Sequence, residues 1–311
     1  MKTVYDHIKS NNLKTLLLVA LFPAGLIALV FLFVLAALAF SAEPGQSVMG
    51  GALAVAASVA IPVTAAALIW MLISWAWGDS MMLSIAGARE VREDDKEYRP
   101  LLQSVQNVAL AAGLPAPKVY IIDDGGMNAF ATGRSPKDAS VAFTSGIVRA
   151  LDRAELEGVA AHEMAHIGNR DIRLDMLIIT GLGVTVFTAD ILLRTAFSGS
   201  RSNSKDRGKT LAVLLAVWCA FTVFNLIISP LLRMAISRGR EYLADATGAF
   251  ITRNPRALAS ALTRISGNSG ISVKGGNAMA EAFIADPRKN FAGLFATHPP
   301  IAERVKRLDG M

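Results

Sequence analysis

The chain has 311 residues, 31 basic against 25 acidic, for a net charge of +6, with 53% hydrophobic and only 18% charged residues. Soluble domains carry about 25% charged residues, so the composition argues against an ordinary water-soluble protein. It makes the basic balance a membrane-flank signal before a nucleic-acid one. The lone cysteine, Cys219, excludes an intrachain disulfide.

Two uncharged stretches open the chain, residues 15–42 and 44–78, and Trp70, Trp75 and Trp77 close the second. Each exceeds the ~20 residues a helix needs to cross the hydrocarbon core, and aromatic rings at the end of a span fit the interfacial belt. The pattern predicts transmembrane helices over about 15–40 and 48–77, a hairpin anchor occupying 1–78. A cleaved signal peptide ending at AFSA is the rival, but its apolar core runs only ~7–15 residues. Lys2, Lys9 and Lys14 precede the first span, whereas the link 41–47 has no basic residue. By the positive-inside rule the N-terminus and the chain after Trp77 face the cytoplasm.

Residues 79–311 read as a water-facing domain interrupted by two further apolar helices. Pro100 suits a first helical turn, and Leu101, Leu102, Val105, Val108, Ala109 and Ala112 form one face before Gly113 stops the helix. KVYII, NAFATG and SVAFT read as short strands, with 123–126 a turn. Asp152 followed by Glu155 is a capping box opening a helix. The apolar runs are 176–193, interrupted by Asp190, and 211–232, containing Asn225 and Pro230. Buried core helices are the alternative to membrane spans. The links 198–207 and 266–276 read as mobile loops. The fold class expected is mainly α with a small β-sheet, integral to the membrane through about four helices.

The chemistry begins on the capped helix. Residues 162–166 read His-Glu-Met-Ala-His, and positions four apart share a helix face, so His162 and His166 can hold one metal ion. Glu163 beside them suits general-base work on a metal-activated water. Two surface histidines on an amphipathic helix are the plain alternative. A catalytic zinc takes three protein ligands, and RGREYLADATG at 238–248 offers Glu241 as the third. Asp245, one turn later, is placed to accept the free ring N–H of a ligating histidine. Acids matched to a helix dipole would leave the same pattern.

In four ordered motifs the chain resembles the HtpX-type integral-membrane zinc metalloproteases, gluzincin relatives of the CAAX prenyl proteases. These are MNAFATG at 127–133, AAHEMAHIGNRD at 160–171, SRGREYLAD at 237–245 and THPP at 297–300. The resemblance implies a zincin-like domain with one Zn2+ held by His162, His166 and Glu241, and Glu163 as base. It places Asn128 on a strand that pairs with extended substrate, near the scissile carbonyl, and His298 where it can offset oxyanion charge. Arg304, in the last helix, is a candidate partner for a cleft carboxylate. The implied setting is the inner membrane, with misfolded or damaged membrane proteins as substrates in envelope quality control.

Two other readings remain open: a catalytically silent membrane scaffold with bound zinc, and a prenyl-protein protease. The scattered basic residues lack the aromatic interleaving of a nucleic-acid surface. Protein substrates and the lipid bilayer are the expected partners, and oligomeric state is not encoded legibly. One loop fits poorly: if 176–193 and 211–232 both cross, Arg194, Arg201, Lys205, Arg207 and Lys209 fall on the far side, against the positive-inside rule.

Overall fold

A helix that is apolar on every side has no core-facing stripe and must lie in a large core or in lipid. Such a helix is α1, Val48–Ile85, which leaves Leu53, Ile61, Leu72 and Trp77 exposed. The computed structural model describes residues 48–198, 238–271, 282–285 and 298–311, with scattered positions between 9 and 39 and between 215 and 226. Among the described residues one stretch, Thr64–Ile85 within α1, is long and apolar enough to cross a membrane; its 22 residues span about 33 Å. The helix thus continues past the boundary expected at residue 77. Half of 15–40, most of 211–232 and nearly all of the loop 198–207 lie outside the described residues. The run 176–193 falls within a helix, Asp171–Ser198.

The chain divides into two units. One comprises 1–13, 77–180 and 233–311, the other 14–76 and 181–232. The first is mostly helical around a mixed four-stranded sheet. Its strands are β1 (Ala88–Glu90), β2 (Lys118–Ile122), β3 (Ala129–Thr132) and β4 (Ser140–Thr144), in the order β1-β2-β4-β3. β2 and β4 are parallel, and both outer strands run antiparallel to their neighbours. β1 has no strand signature of its own: Ala-Arg-Glu becomes a strand only by pairing with Tyr120–Ile122.

Helix α2 (Arg99–Ala112) ends where Gly113 turns left-handed at φ 65° and its N–H closes on the last turn. Short α3 (Ser145–Ala150) starts from Thr144, whose hydroxyl accepts from Ile147 N–H. Helix α4 (Arg153–Gly168) opens on a reciprocal capping box: Glu155 N–H donates to Asp152 Oδ1 at 2.8 Å and Asp152 N–H to Glu155 Oε2 at 3.0 Å. Glu155 also accepts from Ser260 and Arg264 of α7 (Pro255–Gly267), which ties α4 to that helix. α5 is Asp171–Ser198, α6 is Arg238–Thr252 and α8 is Ile301–Asp309.

One close approach positions the site. A Cβ on Gly248 of α6 would lie 3.0 Å from the backbone N of His162. The absence of a side chain there lets α6 lie directly on α4, bringing Glu241 and Asp245 against the two histidines. The core between sheet and helices is apolar, with Phe143, Ile147, Val159, Met164, Leu258 and Leu262 fully buried. Burying each such side chain contributes roughly 1.5–3 kcal/mol, which offsets the cost of the polar cluster beside it.

Candidate metal centre

His162 and His166 stand one turn apart on α4, and their Nε2 atoms approach to 3.2 Å. Their rings are nearly perpendicular, at 87°. Each ring's Nδ1 is held by a carboxylate: His162 by Asp245 Oδ1 at 3.0 Å and His166 by Asp171 Oδ2 at 2.8 Å. An Nδ1–H committed to a carboxylate leaves Nε2 as the lone-pair donor. Glu241 supplies the third arm, with Oε2 3.8 Å from His162 Nε2 and Oε1 3.6 Å from His166 Nε2. One donor atom from each of the three lies within 4.8 Å of the others.

The polar inventory fits a divalent cation. Glu241 Oε2 is buried and makes no hydrogen bond, a state that costs about 1–3 kcal/mol unless something else satisfies it. Buried carboxylates at Asp171, Glu163, Glu241 and Asp245 outnumber the buried guanidiniums of Arg240 and Arg304. Burial by itself would lower the pKa of His166, but the Asp171 hydrogen bond and the charges of Glu241, Asp171 and Glu163 prevail and raise it to about 9. In effect the cluster recruits a positive charge at that position. Burial, the larger influence on His162, lowers it to about 4 despite Asp245, which keeps that imidazole neutral and able to coordinate.

Glu163 lines the same small cavity as the two histidines, Glu241 and His298. Burial raises its carboxyl to about 7, partly opposed by the charges of His166 and Arg304 and by the Ala131 N–H. Both ring nitrogens of His298 are buried without a hydrogen bond. Nδ1 comes within 3.2 Å of Glu241 Oε2 without the alignment of one.

Arg304 is fully buried and grips Asp245 through two hydrogen bonds, Nε to Oδ2 at 2.8 Å and Nη2 to Oδ1 at 2.7 Å. Burial pushes the Asp245 pKa up, but the charge and hydrogen bonds of Arg304, followed by those of His162, hold it at about 2. Asn128 sits apart from the cavity. Its Nδ2 donates to Ser269 O at 3.1 Å and Ala285 O at 2.8 Å, and its Oδ1 accepts from the N–H groups of Ala129 and Ala285. Both Nδ2 hydrogens are thus engaged by main-chain carbonyls in this structure.

Two contributors were not legible beforehand. Asp171 reaches His166 because Arg170, at φ 59°, kinks the chain between α4 and α5; the acid five residues after His166 was the available signal. Arg240 pairs with Asp175 at 2.9 Å, joining α6 to α5 beside Glu241. Nothing in the linear spacing of those two residues announces the pair.

Residues 95–311 match the model of peptidase family M48. The Protease HtpX homolog of Thermoanaerobacter pseudethanolicus is 42% identical over 248 residues, covering 79% of this chain and 83% of that protein. The corresponding proteins of Tropheryma whipplei and Listeria monocytogenes are 42% and 40% identical over 229 and 244 residues, covering 73% and 75% of this chain and 77% and 80% of theirs. Among solved structures, that of S. mikatae Ste24p aligns over 96% of this chain and 65% of its own, with a TM-score of 0.45 and 19% identity.

Proposed function

This chain belongs to peptidase family M48, and we propose how its site works and where it operates. It is a membrane-bound zinc metalloprotease, a hydrolase that acts on protein substrates. The observation that carries the mechanism is the convergence of His162 Nε2, His166 Nε2 and Glu241 on one point, with Glu163 lining the same cavity.

His162, His166 and Glu241 hold the zinc ion. When bound, it supplies Lewis acidity toward the scissile carbonyl and makes water acidic enough to ionise near neutral pH. Glu163 takes the proton from the attacking water and later delivers it to the leaving amine. Its pKa, raised to about 7 by burial, suits both directions of transfer, and the nearby dication would draw it lower. His298, with no hydrogen bond of its own, turns an N–H toward the developing oxyanion. Asp245 and Asp171 orient the two imidazoles, and Arg304 fixes Asp245. A structural zinc in a silent scaffold would want a fourth protein ligand, whereas three groups converge among the described residues.

For its setting, the reading is a multi-pass inner-membrane protein with four spans, about 15–40, 48–77, 176–193 and 211–232. The N-terminus and the catalytic part (79–311, less the two spans) face the cytoplasm. Support comes from the uncharged runs, the span Thr64–Ile85 and the grouping of 14–76 with 181–232 in one unit. Substrates are unfolded or membrane-embedded proteins, consistent with the quality-control role that the HtpX resemblance implies.

Zinc content and casein cleavage in detergent, with and without chelator, test the reading. Glu163→Gln should retain zinc and lose about 10²–10⁴-fold in kcat; full activity in that variant would refute the assignment. Protection of a tag near Asn203 from protease in inside-out vesicles would support the two later crossings, and its digestion would overturn them.

A further inference from the structure

The cavity over the three ligands holds about 10 Å³, room for a single water. An endopeptidase must lay several residues of extended chain across its metal, so some part of this wall has to give way. The strand beside it shows which part. β3 is an outer strand of the sheet, and Asn128 O accepts from Thr144 N–H of β4. By the alternation of antiparallel pairing, Ala129 and Ala131 then turn their main-chain groups to the open edge.

That edge is already in use. Ile284 N–H donates to Ala129 O at 2.9 Å, and Ile284 O accepts from Arg304 Nη1 at 3.0 Å. Ala285 exchanges two hydrogen bonds with the Asn128 amide. All four bonds read main chain and none reads a side chain, the manner in which a strand added to a sheet edge is held. Phe283 is fully buried, packs edge-on against Phe130 at 5.3 Å and lines the metal cavity.

We propose that Phe283–Ala285 stands in for the substrate strand in the resting enzyme. An extended peptide with a bulky apolar side chain in the place of Phe283 takes over the bonds to Ala129 O, the Asn128 amide and Arg304 Nη1. The inference rests on the metalloprotease reading. It gives Asn128 and Arg304 a part in holding substrate main chain, and it makes large apolar residues the preferred side chains at that subsite.

Hydrogen exchange on the zinc-loaded full chain in detergent, with and without a Phe-Leu dipeptide hydroxamate, tests this. With the hydroxamate inhibiting casein cleavage, amides of 283–285 should exchange at least tenfold faster while Ala129–Thr132 stay protected. Unchanged or slower exchange at 283–285 in the inhibited enzyme would make the segment a fixed wall and overturn the proposal, leaving the protease reading intact. In parallel, the capped peptide Ala-Phe-Ile-Ala should compete with casein at least tenfold better than Ala-Ala-Ile-Ala; equal potency would also overturn it. Absence of zinc-dependent casein cleavage would instead remove the protease reading, and this inference with it.

Discussion

His162 and His166 are chemically the same ligand on the same helix, yet their surroundings differ. Burial lowers His162 to about 4, and Asp245 behind it offsets this only in part while Arg304, which takes both Asp245 oxygens, adds its own repulsion. At His166 burial also opposes the charge, but the Asp171 hydrogen bond and the charges of Glu241, Asp171 and Glu163 outweigh it, and the ring rises to about 9. The guanidinium of Arg304 opposes a proton on His162, whereas three carboxylates favour one on His166. The His162 arm is therefore neutral at physiological pH, and the His166 arm is where proton and metal compete.

Arg304→Met should abolish the contrast with the largest effect. It leaves Asp245 buried with its charge unshared, a loss of about 3–5 kcal/mol in a buried pair, read as a fall in the denaturation midpoint. His162 should then titrate nearer to His166 by NMR of the apoprotein, and an unchanged His162 pKa would sink this account of Asp245. Asp171→Asn narrows the contrast from the other side. Removing such a partner weakens metal binding about 10–100-fold, and here it should also lower the His166 pKa and flatten the pH dependence of zinc affinity. A zinc titration at pH 6, 7 and 8 measures both.

The pH dependence of stability should differ between the metal-free and zinc-loaded forms. His166 is raised from 6.5 to about 9 and Glu163 from 4.5 to about 7. In each case the folded state binds a proton that the unfolded chain has released. Their contribution is present at low pH and is lost as pH rises, through about 7 for Glu163 and about 9 for His166. Between pH 6.5 and 9 the apoprotein should lose on the order of 5 °C in Tm, and the zinc form should change far less. Parallel curves for the two forms would show that protons and zinc do not compete at His166. The smallest effect is expected at Tyr242, whose hydroxyl donates to Glu303 at 2.6 Å and helps dock α8 on α6. Tyr242→Phe should cost under about 1 kcal/mol and leave zinc affinity unchanged, because Arg304, not Tyr242, links α8 to Asp245.

Much of this was readable in the linear chain wherever the relevant distance is set within one element. The spacing of His162 and His166 is a property of the helix, the Asp152–Glu155 box marks that helix's start, and Gly113 marks the end of α2. The strands KVYII and SVAFT carry enough β-branched and aromatic residues to be seen locally. β1 does not, since its three residues become a strand only through β2. The one helix of membrane length among the described residues was legible from charge-free length, and α1 nevertheless runs to Ile85, because Met81, Met82 and Leu83 continue the helix beyond the tryptophans.

The sequence by itself determined the metal chemistry: two histidines four apart with a glutamate between, followed by an acidic helix start with room for a third ligand. Helical periodicity enforces that geometry whatever the rest of the chain does. Only the tertiary structure decided which carboxylate serves which histidine, that Arg304 is buried rather than solvated, and that Ile284 lies along β3. Arg304 and Asp245 lie 59 positions apart and Ala285 and Asn128 157 apart; Asp171 is five residues from His166 but reaches it through the left-handed turn at Arg170, and Asp245 reaches His162 because Gly248 lets α6 settle on α4. Close packing, not spacing along the chain, selects those partners.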